Sequence, residues 1–237
     1  MERDTSASVP AVLLLLQLMD SAFPVGAFAH SYGLEQAVRD HRVQDASGVE
    51  AFVAALLEMQ AVTADARALV QAHRAASTGE LDALISVDHE FFATKAPLEL
   101  RRASTTVGRR LLQEVTAHTE SSTALTEAYL AAVEREVTPG THPVALATVG
   151  ASLGLGATEL VAGLLFSTAN TLHSAAMRLL PVSHRDAQAA LHRHRTAIRR
   201  LAEEAASDRE PGYASFFPLQ EIAAARHEGA AVRFFAS

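Results

Sequence analysis

The chain contains no cysteine and no tryptophan, and lysine occurs once, at Lys95. The missing sulfur excludes disulfide frameworks, thiolate nucleophiles, zinc ribbons and iron–sulfur clusters together, because each needs a thiolate or a sulfur–sulfur bond. It leaves the compartment open, with the cytosol favoured. No G-x-x-x-x-G-K-[ST] run occurs, so any nucleotide bound through a Walker A loop has to come with a partner. Aromatic residues make up 5% of the chain and β-branched clusters are scarce, which removes the usual material of sheets. Positive charge is short as well: 20 Lys and Arg against 27 Asp and Glu give a formal charge of -7. A general nucleic-acid binder needs a net basic face, so none is expected here.

Two stretches are apolar enough to raise the question of targeting. Val9 to Met19 is one, and Ala27-Phe28-Ala29 after it looks like a cleavage site. Its preface, Met1-Glu2-Arg3-Asp4, has two acids for one base where a secretory signal needs a positive start, so an amphipathic first helix is predicted instead. The other stretch, Pro143 to Asn170, holds a single charge, Glu159, but is diluted by Gly, Ala, Ser and Thr. That composition predicts a helix packed closely inside a soluble bundle, with no membrane partner.

What the chain does have is helical spacing. Hydrophobic residues are 49% of its 237 positions, enough for a core without staples. Val49, Phe52, Val53, Leu56 and Leu57 follow the i, i+3, i+4, i+7, i+8 template, with Asp45 or Ser47 as N-cap. Leu100, Ala103, Val107 and Leu111 form a second stripe, with Arg101, Arg102, Arg109 and Arg110 mostly off it, and Ala187, Leu191, Ile198, Leu201 and Ala205 a third. Breaks fall at Phe23-Pro24-Val25-Gly26, Ser77-Thr78-Gly79, Ala96-Pro97, Thr138-Pro139-Gly140, Pro181 and Glu210-Pro211-Gly212. The reading is all-α: one domain over residues 1–237, a bundle of roughly eight to ten helices with flexible N- and C-terminal segments. Residues 211–237 read as a tail within it, ending Val232-Arg233-Phe234-Phe235-Ala236-Ser237. Such a tail either docks on its own body or is ordered by a partner.

Candidate chemistry is sparse. Gly150-Ala151-Ser152-Leu153-Gly154 matches the G-x-S-x-G nucleophile elbow, and Ser152, Asp186 or Asp208, then His227 have the chain order of an α/β-hydrolase. An elbow needs a sheet beneath it, however, and the upstream residues read as helices. Close helix packing by small residues is therefore the expectation, with a serine hydrolase as the alternative. Gly154-Leu155-Gly156 begins a dinucleotide fingerprint but meets Glu159 at its third position, where a carboxylate would face a pyrophosphate. In His192-Arg193-His194-Arg195 the i, i+2 histidines diverge, so no metal site is predicted. His194 lies on the apolar stripe and is expected as a hydrogen-bonded core histidine. His192, Arg195 and Arg199 then form a solvated or partner-facing basic strip, and a helical RNA- or phosphate-binding module using His184 to Arg200 is a further alternative. His227-Glu228 is adjacent and cannot converge on one point, so partner contact or capping is expected there. Arg233, Phe234 and Phe235 have hot-spot character, two aromatic anchors beside a planar multidentate cation.

Several ordered blocks together resemble the UreF family of urease accessory proteins. The first runs from Leu16 to Glu35 and includes Phe23-Pro24-Val25-Gly26-Ala27-Phe28-Ala29-His30-Ser31-Tyr32-Gly33-Leu34-Glu35. Glu99-Leu100-Arg101-Arg102-Ala103-Ser104 with Gly108, His142-Pro143, and Asn170 through Pro181 follow. His227-Glu228 and the terminal Arg-Phe-Phe-Ala-Ser complete the pattern. The resemblance implies an all-α, non-enzymatic, cytoplasmic scaffold that works as a homodimer without a cofactor or metal of its own. It implies binding to the accessory protein UreD (UreH) and recruitment of UreG, a GTPase that brings the GTP, for nickel insertion into apo-urease. By position it assigns partner binding to Pro24, Gly26, Phe28, His30, Ser31, Tyr32, Gly33 and Glu35, and to His227, Glu228, Arg233, Phe234, Phe235 and Ser237. Either Phe28, His30 and Tyr32 are presented at the surface, or Phe28 and Tyr32 are core and only the turn is special. Four departures stand out: Ala236 where arginine is frequent, Phe234 where leucine stands, Phe28 where some relatives carry tyrosine, which removes any role of a hydroxyl, and Ala66 where a proline is common, which predicts a weaker break after Asp65.

Overall fold

The computed structural model describes residues 9–26, 29–118, 123–207, 212–214, 216–229 and 233–236. Helix accounts for all regular structure among them: α1 (Val9–Met19), α2 (Leu34–Arg39), α3 (Ala46–Leu56), a π-helical segment (Leu57–Ala66), α4 (Arg67–Thr78), α5 (Leu81–Thr94), α6 (Leu98–His118), α7 (Ala124–Glu134), α8 (His142–Ser152), α9 (Ala157–Leu179), α10 (His184–Ser207) and α11 (Pro218–His227). Because α3, the π segment and α4 run on without interruption, the rods among the described residues number ten, at the upper end of the expected range.

The boundaries follow local chemistry. Asp45 accepts the amide of Gly48 at 2.8 Å, an N-cap that satisfies one of the orphan donors of α3. Gly79 closes α4 at φ 78°, and Pro143 begins α8 where a missing N–H costs nothing. At Ala66, where a proline would have ended the helix, the chain stays helical and buried. The π segment's looser turns leave carbonyls for a returning strand of chain, and the amides of Ala214 and Phe216 reach Thr63 and Met59 at 3.2 and 3.4 Å.

α8 sits at the centre, buried continuously from Pro143 to Gly150, as a helix apolar on all sides has to be. α4, α6 and α9 pack around it, and α10 lies along α9. The predicted stripes at Val49–Leu57, Leu100–Leu111 and Ala187–Ala205 all face inward. A Cβ on Gly108 would lie 2.2 Å from the carbonyl of Gly140, so α6 approaches the turn before α8 more closely than any side chain allows. Among the described residues no helix is long and apolar enough to cross a membrane. The Gly150–Gly154 motif is the end of α8. Gly154, at φ 71°, lets the Leu155 amide reach Gly150 and its own reach Ala151, a Schellman closure with no strand beneath it. The Ser152 hydroxyl donates to the Val149 carbonyl at 2.7 Å, so the elbow reading is corrected to a helix terminus.

Candidate functional site

α2, α11, the start of α6 and the C-terminal strap 233–236 converge on two carboxylates, Glu35 and Glu99. The chain reaches Glu35 through a tight entry. Tyr32 and Gly33 are both left-handed, at φ 50° and 86°, and a Cβ on Gly33 would stand 3.0 Å from the Gln220 carbonyl. Glycine there lets α2 settle against α11. The Ser31 hydroxyl accepts the Glu35 amide at 3.4 Å, and Glu35 begins the helix where its charge favours the dipole.

Glu35 is fully buried and surrounded by donors. Arg39 reaches Oε1 at 2.5 Å, the Phe234 amide donates to Oε1 at 3.0 Å, and the Phe235 amide donates to Oε2 at 3.1 Å. Nε2 of His227 lies 3.0 Å from Oε2. Burial pushes the Glu35 carboxyl up, but the two strap amides and the His227 ring outweigh it and hold the group below its usual range. On the other side of the ring, Nδ1 of His227 is 2.8 Å from Oε2 of Glu99, whose Oε1 accepts Nη1 of Arg233 at 2.6 Å. With a carboxylate on each nitrogen, the imidazole donates to both only in its doubly protonated form. Glu228 caps the neighbouring helix instead, accepting the Glu99 amide at 3.2 Å.

The strap is therefore held by side chains from three helices. It is also held by backbone, since the Ala236 amide donates to the Ala29 carbonyl at 2.8 Å. Phe235 turns inward, 5% exposed, with the Arg178 guanidinium 4.2 Å from its ring centre. Phe234 turns outward and is 75% exposed. Between the two expectations for the tail, docking on its own body is what these residues do.

The residues expected to bind partners divide by burial. Pro24, Arg233, Phe234 and Glu228 are exposed, and Gly26 and Tyr32 are half-buried. His30, Ser31, Gly33, Glu35, Phe235 and His227 are buried, so in this arrangement they reach a partner only through what they hold in place. Burial, then the Arg110 guanidinium, lowers His30 from the ordinary imidazole value, and burial raises the Tyr32 phenol. Phe28 and Ser237 lie outside the described residues. His227 and Glu228 do diverge, as adjacent helical residues must, yet His227 converges with groups from elsewhere in the chain. Glu99, Arg39 and Arg178 were missed as site residues. A glutamate in the first turn of a helix is ordinary dipole chemistry, and nothing local shows that Glu99 faces residues more than 100 positions away.

The alternatives also have a place in the fold. The His184–Arg200 strip is largely paired with acids: Arg193 with Glu50, Arg199 with Glu203, and Arg200 with Glu58 and Glu204. His194 is buried as expected, but its Nε2 has no hydrogen-bond partner among the described residues, which corrects the hydrogen-bonded reading. Among the described residues no group of three or more His, Asp or Glu side chains is arranged to hold a metal.

The fold and the site together define a class: an all-α protein whose buried ion cluster fastens its C-terminal strap to its N-terminal block. Comparison with known sequences narrows this. The UreF family profile matches residues 43–195. Urease accessory protein UreF of Photorhabdus laumondii is 33% identical over 226 residues, covering 95% of this chain and 98% of that protein. Urease accessory protein UreF 2 of Brucella canis is 34% identical over 228 residues, covering 96% and 93%. UreF of Yersinia enterocolitica is 33% identical over 226 residues, covering 95% and 98%. The chain belongs to the UreF family.

Proposed function

We propose that this protein is a urease maturation factor that acts by assembly, without catalysis or a cofactor of its own. In this reading it works in the cytoplasm as a homodimer, binds UreD (UreH), and with it recruits the GTPase UreG. UreG supplies the GTP, and nickel is the cargo delivered to apo-urease.

The observation that carries the reading is the strap. Its polar backbone and Phe235 are used to fasten it, while the Phe234 ring and half of Arg233 remain in solvent beside the N-terminal block. An aromatic and an arginine held on an ordered segment lose little freedom on binding, which is what makes such residues hot spots. The kinship to proteins named urease accessory proteins supports urease maturation as the process in which this assembly takes place.

Size exclusion with light scattering tests it directly: the protein alone, with its cognate UreD, with UreG added, and again for the chain ending at Val232. A complex that admits UreG and is lost on truncation supports the scaffold and its interface. A protein that stays alone beside folded UreD and UreG refutes it.

A further inference from the structure

The molecule has two arginine-rich helix faces, and only the one on α10 is largely neutralised by acids of the fold. On α10, Arg193 forks onto Glu50 at 2.7 and 2.6 Å, Arg199 meets Glu203 at 3.2 Å, and Arg200 bonds both Glu58 and Glu204. On α6, Arg102, Arg109 and Arg110 are exposed, and none of their side chains makes a hydrogen bond or ion pair with a described residue. Arg102 and Arg109 are two turns apart on one side of the helix, with Arg110 beside them. From Leu100 through Gln113 this helix contains no acid at all.

That placement opposes the helix's own electrostatics. Arg101 and Arg102 stand within a turn of the N-terminus, where the macrodipole disfavours cations, and Arg101 also has a buried Nε without a partner. Two acids do border the ridge, Glu136 and Glu99, but Glu99 is taken by His227 and Arg233, and no hydrogen bond or ion pair joins either acid to Arg102, Arg109 or Arg110 among the described residues. The ridge is flanked by two clefts. One, of about 370 Å³, is walled by Arg101, Arg102 and Arg109 with Phe92; the other, of about 400 Å³, by Arg102, Arg110 and Arg233. In the second, Arg233 is taken by the Glu99 carboxylate at 2.6 Å, a pairing that Arg102 and Arg110 beside it do not make with any described residue.

We propose that the α6 ridge receives an acidic segment of a protein partner, whose Asp and Glu carboxylates fork onto Arg102, Arg109 and Arg110 from the two clefts. Planar guanidinium forks match carboxylates two bonds at a time. Phosphate would match as well, but RNA is the poorer fit. Two separate side-chain-sized clefts do not form a continuous backbone track with stacking rings. The choice of a protein occupant rests on the assembly reading above; the anion site does not.

The test needs neither UreD nor UreG, so its outcome is independent of the complex experiment. Fluorescence anisotropy of a labelled oligoglutamate peptide is followed against the full chain at low and high salt, with a labelled oligouridylate of equal charge in parallel. Peptide binding should weaken about tenfold or more in the Arg102→Glu/Arg109→Glu/Arg110→Glu variant, the sum of three modest exposed pairs, and fade with salt. The α10 variant Arg195→Glu/Arg199→Glu should bind like wild type. All three ridge residues are exposed, and Arg102→Gln/Arg109→Gln repeats the test without charge reversal. Absence of peptide binding, equal loss in the α10 variant, or tighter binding of the oligouridylate would overturn the proposal.

Discussion

Two buried carboxylates do similar work in this protein at opposite kinds of place. Asp88 is fully buried in α5 and accepts five hydrogen bonds: from the Tyr129 hydroxyl, the Thr138 hydroxyl, the Gly140 amide, and both the amide and hydroxyl of Thr141. Glu35 is equally buried and similarly surrounded. The Asp88 donors come from α7 and the turn that leads into α8, all interior to the fold. Half of the Glu35 donors come from the strap, whose next side chain is in solvent. The same chemistry closes the core in one case and leaves a segment that can be released in the other.

The largest expected effect separates them. Asp88→Ala strands five donors in a space water does not reach, and the loss should be about 3–5 kcal/mol of global stability, read by urea unfolding. Every helix should lose protection together, because the turn that Asp88 holds seats α8, the central rod. Glu35→Gln should cost less, about 2–3 kcal/mol, since the strap can undock and let water reach His227. Hydrogen exchange should then find the amides of Phe234, Phe235 and Ala236 unprotected while α8 and α9 keep theirs. Uniform loss of protection in Glu35→Gln would erase the distinction.

The helices and the identity of the strap residues were legible because both are local. Stripes of period 3.6 mark the buried faces of α3, α6 and α10, and Arg-Phe-Phe stands out in an alanine-rich text. The contacts that make the site were not. His227 meets Glu35 from 192 positions away and Arg233 meets Glu99 from 134, and separations of that size leave no spacing to read. Asp88 went unnoticed for the same reason, lying in Val87-Asp88-His89-Glu90 as one acid among several. The α10 strip misled in the other direction. Its arginines look free in sequence, while two of their partners, Glu50 and Glu58, lie on the distant α3–π rod.

The two strap phenylalanines divide the comparison further. Phe235→Ala removes a ring that is 5% exposed and stacked under Arg178, and should cost about 2 kcal/mol or more, felt mainly as strap release. Phe234→Ala removes a ring in solvent and should leave the melting temperature within error, a change under about 0.5 kcal/mol. If the strap is a partner surface, that same variant should weaken UreD binding by about 2 kcal/mol or more. Isothermal titration against melting thus sorts the pair. A stability loss in Phe234→Ala, or intact binding, would make the strap a structural closure like that of Asp88.

Acid should probe the interior and the strap in sequence, by smaller steps. Burial, then the neighbouring His194, lowers His173 to about 4, and burial lowers His142 to about 4. Both are neutral at pH 7 in folded and unfolded chains alike. Below the ordinary imidazole value of 6.5 the unfolded chain takes up protons that the folded one refuses, so stability falls between pH 6.5 and about 4. Glu35 acts at the lower end. Its folded carboxyl is held below the unfolded value of 4.5, so the stability it contributes is present above that pH and drains away as the pH falls beneath it. Melting temperature should therefore decline first through the imidazole window and then again as the strap's anchor protonates. His173→Gln should make the first decline shallower, leaving the His142 share of it and all of the second, whereas Glu35→Gln should make the second alone shallower. A single decline unaffected by either substitution would place the acid-sensitive groups elsewhere in the fold.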